Sequence, residues 1–183
     1  MIKLNKIFFL IFLFISLNLI SPVFGDELDK LFSDLKNAEK QVIAKIYEIK
    51  IWNYWLTDGS HETSNQEMKI GIKLIQNGNL DDALKLFIKL SKIEPYWAEP
   101  INKIATIKYL MKDFDGSIRD INLTLKLEPR HFGAISGLIQ INIALGNYEE
   151  ALKNIDHVLK IHPFLNIKEL KPVILKILQK LQI

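Results

Sequence analysis

Histidines and acidic residues are where chemistry would be expected first in this chain, and few stand at useful spacings. The histidines are His61, His131, His157 and His162. None pairs with another at i, i+4, no His-Glu-x-x-His motif occurs, and there is no Cys with which to complete a zinc site. Residues 113–116 lack the remaining oxygen ligands of a calcium loop. No nucleophile elbow, phosphate loop or dinucleotide fingerprint is present. We therefore expect no enzymatic activity, no metal and no cofactor.

Arg130 and His131 form the one adjacent pair of cationic side chains at a predicted helix start. A guanidinium and an imidazole there could receive an anionic group, such as that of a small ligand. Alternatively, Arg130 pairs with a nearby acid such as Asp120, while Gly133 and Gly137 allow neighbouring helices to approach closely. A single Arg-His pair is weak evidence for a site, so Arg130 and His131 are a secondary candidate.

Aromatic residues concentrate in one predicted helix, at Tyr47, Trp52, Tyr54 and Trp55. Aromatic side chains dominate the energetics of interfaces. They are equally suited to packing inside the chain that carries them. An indole that remains exposed would mark the surface for a partner.

The N-terminus has the pattern of a secretory signal peptide. Lys3 and Lys6 precede an apolar run from Ile7 to Ile20, and a helix-breaking Pro22 follows. We predict a signal peptide over residues 1–25, cleaved after Gly25. The run has 14 residues, whereas a spanning helix needs about 20, so an uncleaved membrane anchor is the weaker alternative. The expected protein is exported, to a Gram-negative periplasm, with no stable membrane anchor after cleavage.

Composition excludes several classes of protein. The chain has 183 residues, of which 49% are hydrophobic, so it is neither disordered nor collagen-like, and without Cys it is no disulfide scaffold. Residues 1–25 contain two Lys and no acid, which leaves 22 positive and 21 negative charges in the other 158 residues. That balance, with no basic stripe, argues against a nucleic-acid partner.

A period of 34 residues organises the rest of the chain, because Pro95, Pro129 and Pro163 recur at that spacing. Alignment on these prolines superposes three small residues, Ala83, Ser117 and Ala151, and three apolar ones, Phe87, Ile121 and Ile155. Each unit reads as two amphipathic helices, with a small residue where they cross and a proline that ends the second. Such hairpins stack into an all-α solenoid, because one hairpin alone cannot bury its apolar faces.

These features resemble the tetratricopeptide repeat (TPR) family, and particularly small exported bacterial TPR proteins of unsettled function. The resemblance gives three units, 64–97, 98–131 and 132–165, in a right-handed helical-repeat solenoid. Gly78 and Gly146 stand where the family ends the first helix of a unit, but the middle unit has Lys112 there. This departure makes the middle unit the least regular of the three.

The segments outside the repeat are also predicted to be helical. Residues 26–60 carry apolar residues at helical spacing, and we predict two helices with a break near Asn37 and Ala38, or alternatively one long helix. Their apolar stripe must cover the first repeat or pair with another chain. Residues 166–183 have the pattern of a C-terminal capping helix, apolar inward and Lys-rich outward, in which Pro172 is tolerable only near the start.

The resemblance implies a concave groove, lined by the first helix of each unit, that holds a segment of another protein, here one of the cell envelope. The family positions correspond to Asn65, Met68, Ile72, Asn102, Thr106, Tyr109, Ser136, Gln140 and Ile143. The family's carboxylate-binding mode is disfavoured, because Met68, Ile72 and Thr106 replace the required polar groups. Several of these side chains could instead pack against neighbouring helices. The expected function is that of an interaction module. The alternatives are a structural solenoid that self-associates as a homodimer through its aromatic helix and, less favoured, a small-ligand carrier.

Overall fold

The computed structural model describes residues 24–181, which form helices joined by short turns, without a β-strand. The predicted all-α fold is therefore confirmed. The helices are α1 (Phe24–Lys36), α2 (Gln41–Leu56), α3 (Glu62–Gln76), α4 (Leu80–Ile93), α5 (Ala98–Leu110), α6 (Phe114–Leu127), α7 (Phe132–Ala144), α8 (Tyr148–Ile161) and α9 (Leu170–Leu181), with a 3-10 turn at Asn166–Glu169. None of the helices in this part of the chain is both long and apolar enough to cross a membrane. The predicted signal peptide, residues 1–25, lies outside the described residues except for its last two positions, Phe24 and Gly25. Its apolar run lies wholly outside them.

Helices α3 to α8 pack as three successive pairs, and each pair occupies one unit of the 34-residue period. Ala83, Ser117 and Ala151 are buried where the two helices of a pair cross. Ser117 donates its hydroxyl hydrogen to the Ala105 carbonyl oxygen at 2.8 Å, so the polar member of this set has a partner on the facing helix. The small size of these residues is what allows the close crossing.

Left-handed backbone conformations end the first helix of every pair. Gly78 and Gly146 both have φ of 77°, and Lys112 in the middle unit has φ of 64°. A lysine in this region costs roughly 1 kcal/mol more than a glycine. The middle unit nevertheless makes the same turn, so the missing glycine does not alter the repeat.

The N-terminal hairpin, formed by α1 and α2, is two helices and not one. Its placement differs from the prediction. The buried side chains of Phe32, Leu35, Ile51 and Trp55 belong to the same core as Phe132 and the rest of the third pair and α9. The expectation that this stripe covers the first repeat was wrong, because helical periodicity identifies a buried face but not the surface that buries it.

Helix α2 runs along one edge of the solenoid, where the second helix of each pair turns into the next element. We call residues 94–97, 128–131 and 162–165 the turn edge. The Trp97 indole Nε1–H donates to the Trp55 carbonyl oxygen at 2.6 Å. The Trp55 ring stacks on the His131 ring, with centroids 4.0 Å apart and planes 7° from parallel. Farther along, His162 Nε2 lies 3.3 Å from a Glu48 carboxylate oxygen. One helix therefore contacts all three turns.

The aromatic residues of α2 pack largely within the chain. Trp55 is 3% exposed, and the Trp52 ring meets it edge to face with centroids 5.3 Å apart. Tyr47 and Tyr54 are partly buried against the same core. No fully exposed indole marks a partner surface on this helix.

The repeat position before each proline is occupied by Glu94, Glu128 and His162, and all three are buried. The Ser60 and Ser64 hydroxyl groups each donate to Glu94 at 2.6 Å. Burial opposes the ionisation of Glu94, but these hydrogen bonds outweigh it and lower its pKa to about 2. The turn edge thus carries buried ionised or polar groups, of which Glu94 is hydrogen-bonded by Ser60 and Ser64 and Glu128 by Arg130 of its own turn.

The C-terminal residues continue the stacking with the 3-10 turn and α9. Because α9 begins at Leu170, Pro172 lies in its first turn, where its missing N–H breaks no helical hydrogen bond. Ile167 and Ile174 are buried against α8 and the N-terminal hairpin, whereas Leu181 is 68% exposed. The apolar stripe of this segment is covered at its start and open at its end.

Candidate functional site

The first helices of the second and third pairs, α5 and α7, enclose an open hollow of about 300 Å³. We call it the inner groove. Its lining residues are Asn102, Ala105, Thr106, Tyr109, Ser117, Ile121, Gly133, Ala134, Ser136, Gly137 and Gln140. Five of the nine predicted groove residues meet here: Asn102, Thr106, Tyr109, Ser136 and Gln140. The structure therefore brings together the predicted positions of two of the three units.

Hydroxyl and amide groups supply the polar chemistry of the inner groove. Thr106 donates its hydroxyl hydrogen to the Asn102 carbonyl oxygen at 2.9 Å, and Ser136 donates to the Phe132 carbonyl oxygen at 2.7 Å. Because each hydroxyl donates to its own helix, its lone pairs remain available to accept from a ligand. The exposed amide of Gln140 offers both a donor and an acceptor. The groove can therefore exchange hydrogen bonds with a ligand without using a charge.

Small residues on α7 create the space. A Cβ built on Gly137 would have the Ile121 Cδ1 atom as its nearest neighbour at 3.4 Å, which is an ordinary contact. A Cβ on Gly133 would lie 2.5 Å from the Trp52 ring, so this glycine admits the indole of α2 beside the groove. The prediction that both glycines allow close helix approach holds only for Gly133. The missing side chain of Gly137 instead leaves space in the inner groove.

The predicted groove residues of the first unit do not reach the inner groove. Met68 is fully buried in a core that also contains Phe87 and Trp97, so it cannot contact a partner as predicted. Asn65 accepts the Gly59 backbone N–H at 3.1 Å, and Ile72 packs against the Met68 core. Asn65 therefore holds α3 to the loop before it, whereas Met68 and Ile72 belong to the core of the first pair.

Ile143, the last predicted residue of the third unit, also lies outside the inner groove. Its side chain is partly buried against the core shared by the third pair and the N-terminal hairpin. Gln140 is therefore the last residue of α7 that lines the inner groove. The assignment of Ile143 from its repeat position did not account for this core, to which segments outside the repeats contribute.

A buried ion network lies under the inner groove. Glu99 is fully buried, which opposes its ionisation, but Lys103 at 2.6 Å and His131 at 2.8 Å outweigh burial and lower its pKa to about 2. The Asn102 side-chain amide donates to the same carboxylate at 3.0 Å. The charge of Lys103 neutralises that of Glu99, so the groove above remains neutral.

His131 has a defined tautomer in this network. Its Nδ1 accepts the Ala134 backbone N–H at 3.0 Å, which makes His131 the N-cap of α7. Nε2 therefore carries the proton and donates to Glu99. His131 thus links the start of α7, the network under the groove and the Trp55 ring of α2.

The secondary candidate, Arg130 with His131, is not an open site. Arg130 donates to Glu128 through Nε and Nη2, both at 2.9 Å, and to Asp29 of α1 through Nη1 at 2.6 Å. Hydrogen bonding to Glu128, followed by that to Asp29, raises the Arg130 pKa against the opposing effect of burial. The expected pairing with Asp120 was wrong, since Asp120 binds Lys108 at 2.6 Å. Because Glu128 and Asp29 already pair with Arg130, and His131 is fully buried, the pair does not present an open site for an anionic ligand.

A larger hollow of about 670 Å³ lies between α2, α7 and the 3-10 turn. We call it the terminal pocket. It is lined by Gln41, Val42, Lys45, Glu48, Ser136, His162, Phe164, Leu165, Asn166 and Ile167. Sequence reasoning missed it, because one wall comes from α2, whose position nothing in the repeat pattern specifies. Within residues 24–181, no three His, Asp or Glu side chains converge as a metal site would require.

No family model matches this chain. The chain is nevertheless similar in sequence to a TPR protein. A TPR repeat-containing protein from Rhizobium etli is 35% identical over 136 residues, which is 74% of this chain and 66% of that protein. The chain thus spans just under two thirds of the length of this relative.

Two solved structures are similar in fold. The first TPR of Spaghetti (RPAP3), bound to an HSP90 peptide, has 24% identity and a TM-score of 0.60, over 63% of this chain and 95% of that one. The MamA protein has 14% identity and a TM-score of 0.51, over 87% of this chain and 91% of that one. At these identities the likeness concerns the fold alone.

Proposed function

Because the chain belongs to the tetratricopeptide repeat family, we propose that it is an interaction module whose inner groove holds a segment of a partner protein. The observation that carries this proposal is the open, neutral hollow between α5 and α7, where side chains of two repeats converge. A likeness to a TPR structure solved with a peptide bound supports it.

The chemistry of the inner groove suits a polypeptide backbone. Peptide groups present alternating N–H donors and C=O acceptors with no net charge. Thr106 and Ser136 have lone pairs to accept such N–H groups, and Gln140 can both donate and accept. The neutral walls favour a partner segment rich in uncharged residues, since a buried charge would find no counter-charge there.

The setting of this function is part of the proposal. The N-terminal pattern of basic residues followed by a short apolar run favours export to the periplasm, where the partner would be a protein of the cell envelope. The near balance of charge disfavours nucleic acid. We assign the chain no catalytic step, since the Thr106 and Ser136 hydroxyls of the groove donate to carbonyl oxygens of their own helices and not to a general base.

Recovery of a partner from the envelope fraction tests the proposal. Gln140→Lys places a charge at the mouth of the inner groove, and Gln179→Lys places the same charge on an exposed site of α9. A partner identified with the unmodified chain should bind Gln140→Lys about tenfold more weakly by calorimetry, the cost of an unpaired charge at an interface. Gln179→Lys should bind normally. Equal affinity of both variants would remove the inner groove from the function.

Self-association is a second candidate, favoured by an aliphatic face on α2. Val42, Ile43, Ile46 and Ile49 are 65%, 40%, 47% and 49% exposed. This face, and not the buried aromatic one, would form a homodimer. Light scattering should then show a dimer that Ile46→Glu dissociates and Ile70→Glu, at a similarly exposed site on α3, does not. A monomer at high concentration would exclude this candidate.

A further inference from the structure

The terminal pocket offers a second contact for the segment that occupies the inner groove. We propose that it receives one large apolar side chain, aliphatic or aromatic, of the same partner segment, and so sets which segments bind. This inference rests on the proposed function and names the class of residue that the partner must carry.

Continuity of the two hollows is the first argument. Ser136 lines both of them, so one helical residue separates the groove from the pocket. Asn166 and Ile167 follow Phe132 and Gly133 by the 34-residue period, and they therefore occupy the start of what would be a fourth first helix. The terminal pocket is thus the next step along the inner surface of the solenoid.

The wall contributed by α2 is the second argument. Gln41, Val42, Lys45 and Glu48 belong to no repeat, yet they close one side of the pocket. This wall turns a shallow inner surface into a hollow of about 670 Å³, compared with about 300 Å³ for the inner groove. Pockets of about 300–1,000 Å³ are typical of sites that bind organic groups, so the terminal pocket has room for a large side chain.

The lining chemistry selects an uncharged occupant. Val42, Phe164, Leu165 and Ile167 provide apolar surface, and Val42 is 65% exposed. Lys45 and Glu48 are paired at 2.7 Å, so they cancel each other's charge. These walls favour an apolar side chain and disfavour an unpaired charge, which would lose its hydration.

Amides at the rim can hold the peptide groups on either side of that side chain. The Gln41 amide donates to the Asn166 side-chain oxygen at 3.4 Å, a long hydrogen bond between exposed groups. Bonds of this length are weak, so a ligand can replace this one at little cost. Gln41 and Asn166 would then bond the partner backbone, as proposed for Gln140 in the inner groove.

A blocked amino acid tests the pocket without knowledge of the partner. N-acetyl-phenylalanine methylamide carries one large apolar side chain between two peptide groups, and N-acetylglycine methylamide carries the peptide groups alone. Added to the purified ¹⁵N-labelled chain, the first should shift the amide resonances of Ser136, Asn166 and Ile167 saturably. The second should shift them little. Absence of a saturable shift with the phenylalanine probe would overturn the inference.

Two valine variants separate the pocket from other apolar surface. Val42→Glu puts a carboxylate at the pocket rim, and we expect the affinity for the phenylalanine probe to fall about tenfold. Val173→Glu is the control, because Val173 is 55% exposed on α9 and does not line the pocket. Equal losses, or no loss in either variant, would mean that the probe binds elsewhere and would overturn the inference.

The inference and the proposed function fail separately. If Gln140→Lys weakens partner binding while Val42→Glu leaves it unchanged, the inner groove is the binding site and the anchor pocket is refuted. If the phenylalanine probe binds the pocket but Gln140→Lys leaves partner binding unchanged, the proposed function fails. The claim that the pocket extends a partner groove is then refuted with it. Loss of partner binding in both variants supports both.

Discussion

Replacing His131 should destabilise the whole chain, because this side chain joins three separate parts of it. The change His131→Ala removes the N-cap of α7, which costs about 1 kcal/mol. It also takes a hydrogen-bond donor from the fully buried Glu99 carboxylate, at a cost of about 1–3 kcal/mol. Loss of the ring stacked on Trp55 adds about 1 kcal/mol. The sum of these three losses is about 3–5 kcal/mol, which is an upper range because contacts in one network are not strictly additive.

Urea unfolding followed by circular dichroism measures this loss. With a slope of about 2 kcal/mol per molar urea, the midpoint should fall by roughly 2 M. His131→Asn restores an N-cap side chain and should recover about 1 kcal/mol. His157→Ala is the control, because His157 is exposed on α8, and its midpoint should not move. A loss below about 1 kcal/mol in His131→Ala would refute the reasoning that this network holds the fold together.

Two further predictions concern packing and pH. Gly71→Ala should destabilise by about 1–3 kcal/mol, because the new Cβ would overlap the Phe87 ring. Gly137→Ala should stabilise the chain by about 0.5–1 kcal/mol, because the nearest atom to the new Cβ lies 3.4 Å away and alanine favours the helix more than glycine does. If the urea midpoints of the two variants move in the same direction, this reasoning is contradicted. Burial lowers the His162 pKa from 6.5, so stability should fall as pH drops below 6.5 through the folded pKa, and His162→Gln should remove this step. A second loss should follow from pH 4.5 towards 2 as Glu94 and Glu99 are protonated, and a melting temperature constant from pH 7 to 3 would exclude both losses.

The repeat could be predicted from sequence because its signals are local. Recurring prolines and small residues reflect where helices end and cross within one unit, so they fix the helix pairs without knowledge of the rest. Even the middle unit follows the pattern, since Lys112 adopts the conformation that Gly78 and Gly146 adopt. Five of the residues that line the inner groove, among them Thr106 and Gln140, could be predicted for the same reason, because they were assigned from their positions in the repeat.

The contacts between distant parts could not be predicted in this way. The apolar spacing of α1 and α2 shows that they have a buried face, but the partner of that face is the third pair, about 100 residues later, as the edge-to-face contact of Phe32 with Phe132 illustrates. Met68 was misassigned because equivalence of repeat positions was taken to imply equal exposure, whereas in the first unit this position is core. The first error concerns packing between distant segments, and the second concerns the depth of one repeat position in its core. The spacing of residues within a unit carries no information about either.

The length of α2 limits how many repeats this architecture can contain. Its 16 residues extend about 24 Å at 1.5 Å per residue, and its contacts run from Gln41 with Asn166 at one end to Trp55 with Trp97 at the other. Another two-helix unit inserted among the three would move the outer turns apart by about 10 Å, and α2 would no longer reach both. About seven more residues in α2 would be needed to restore the contact. An array of repeats without such a helix tolerates duplication of a unit. Here a duplication would leave one turn without its contact to α2, so the length of α2 limits the number of repeats.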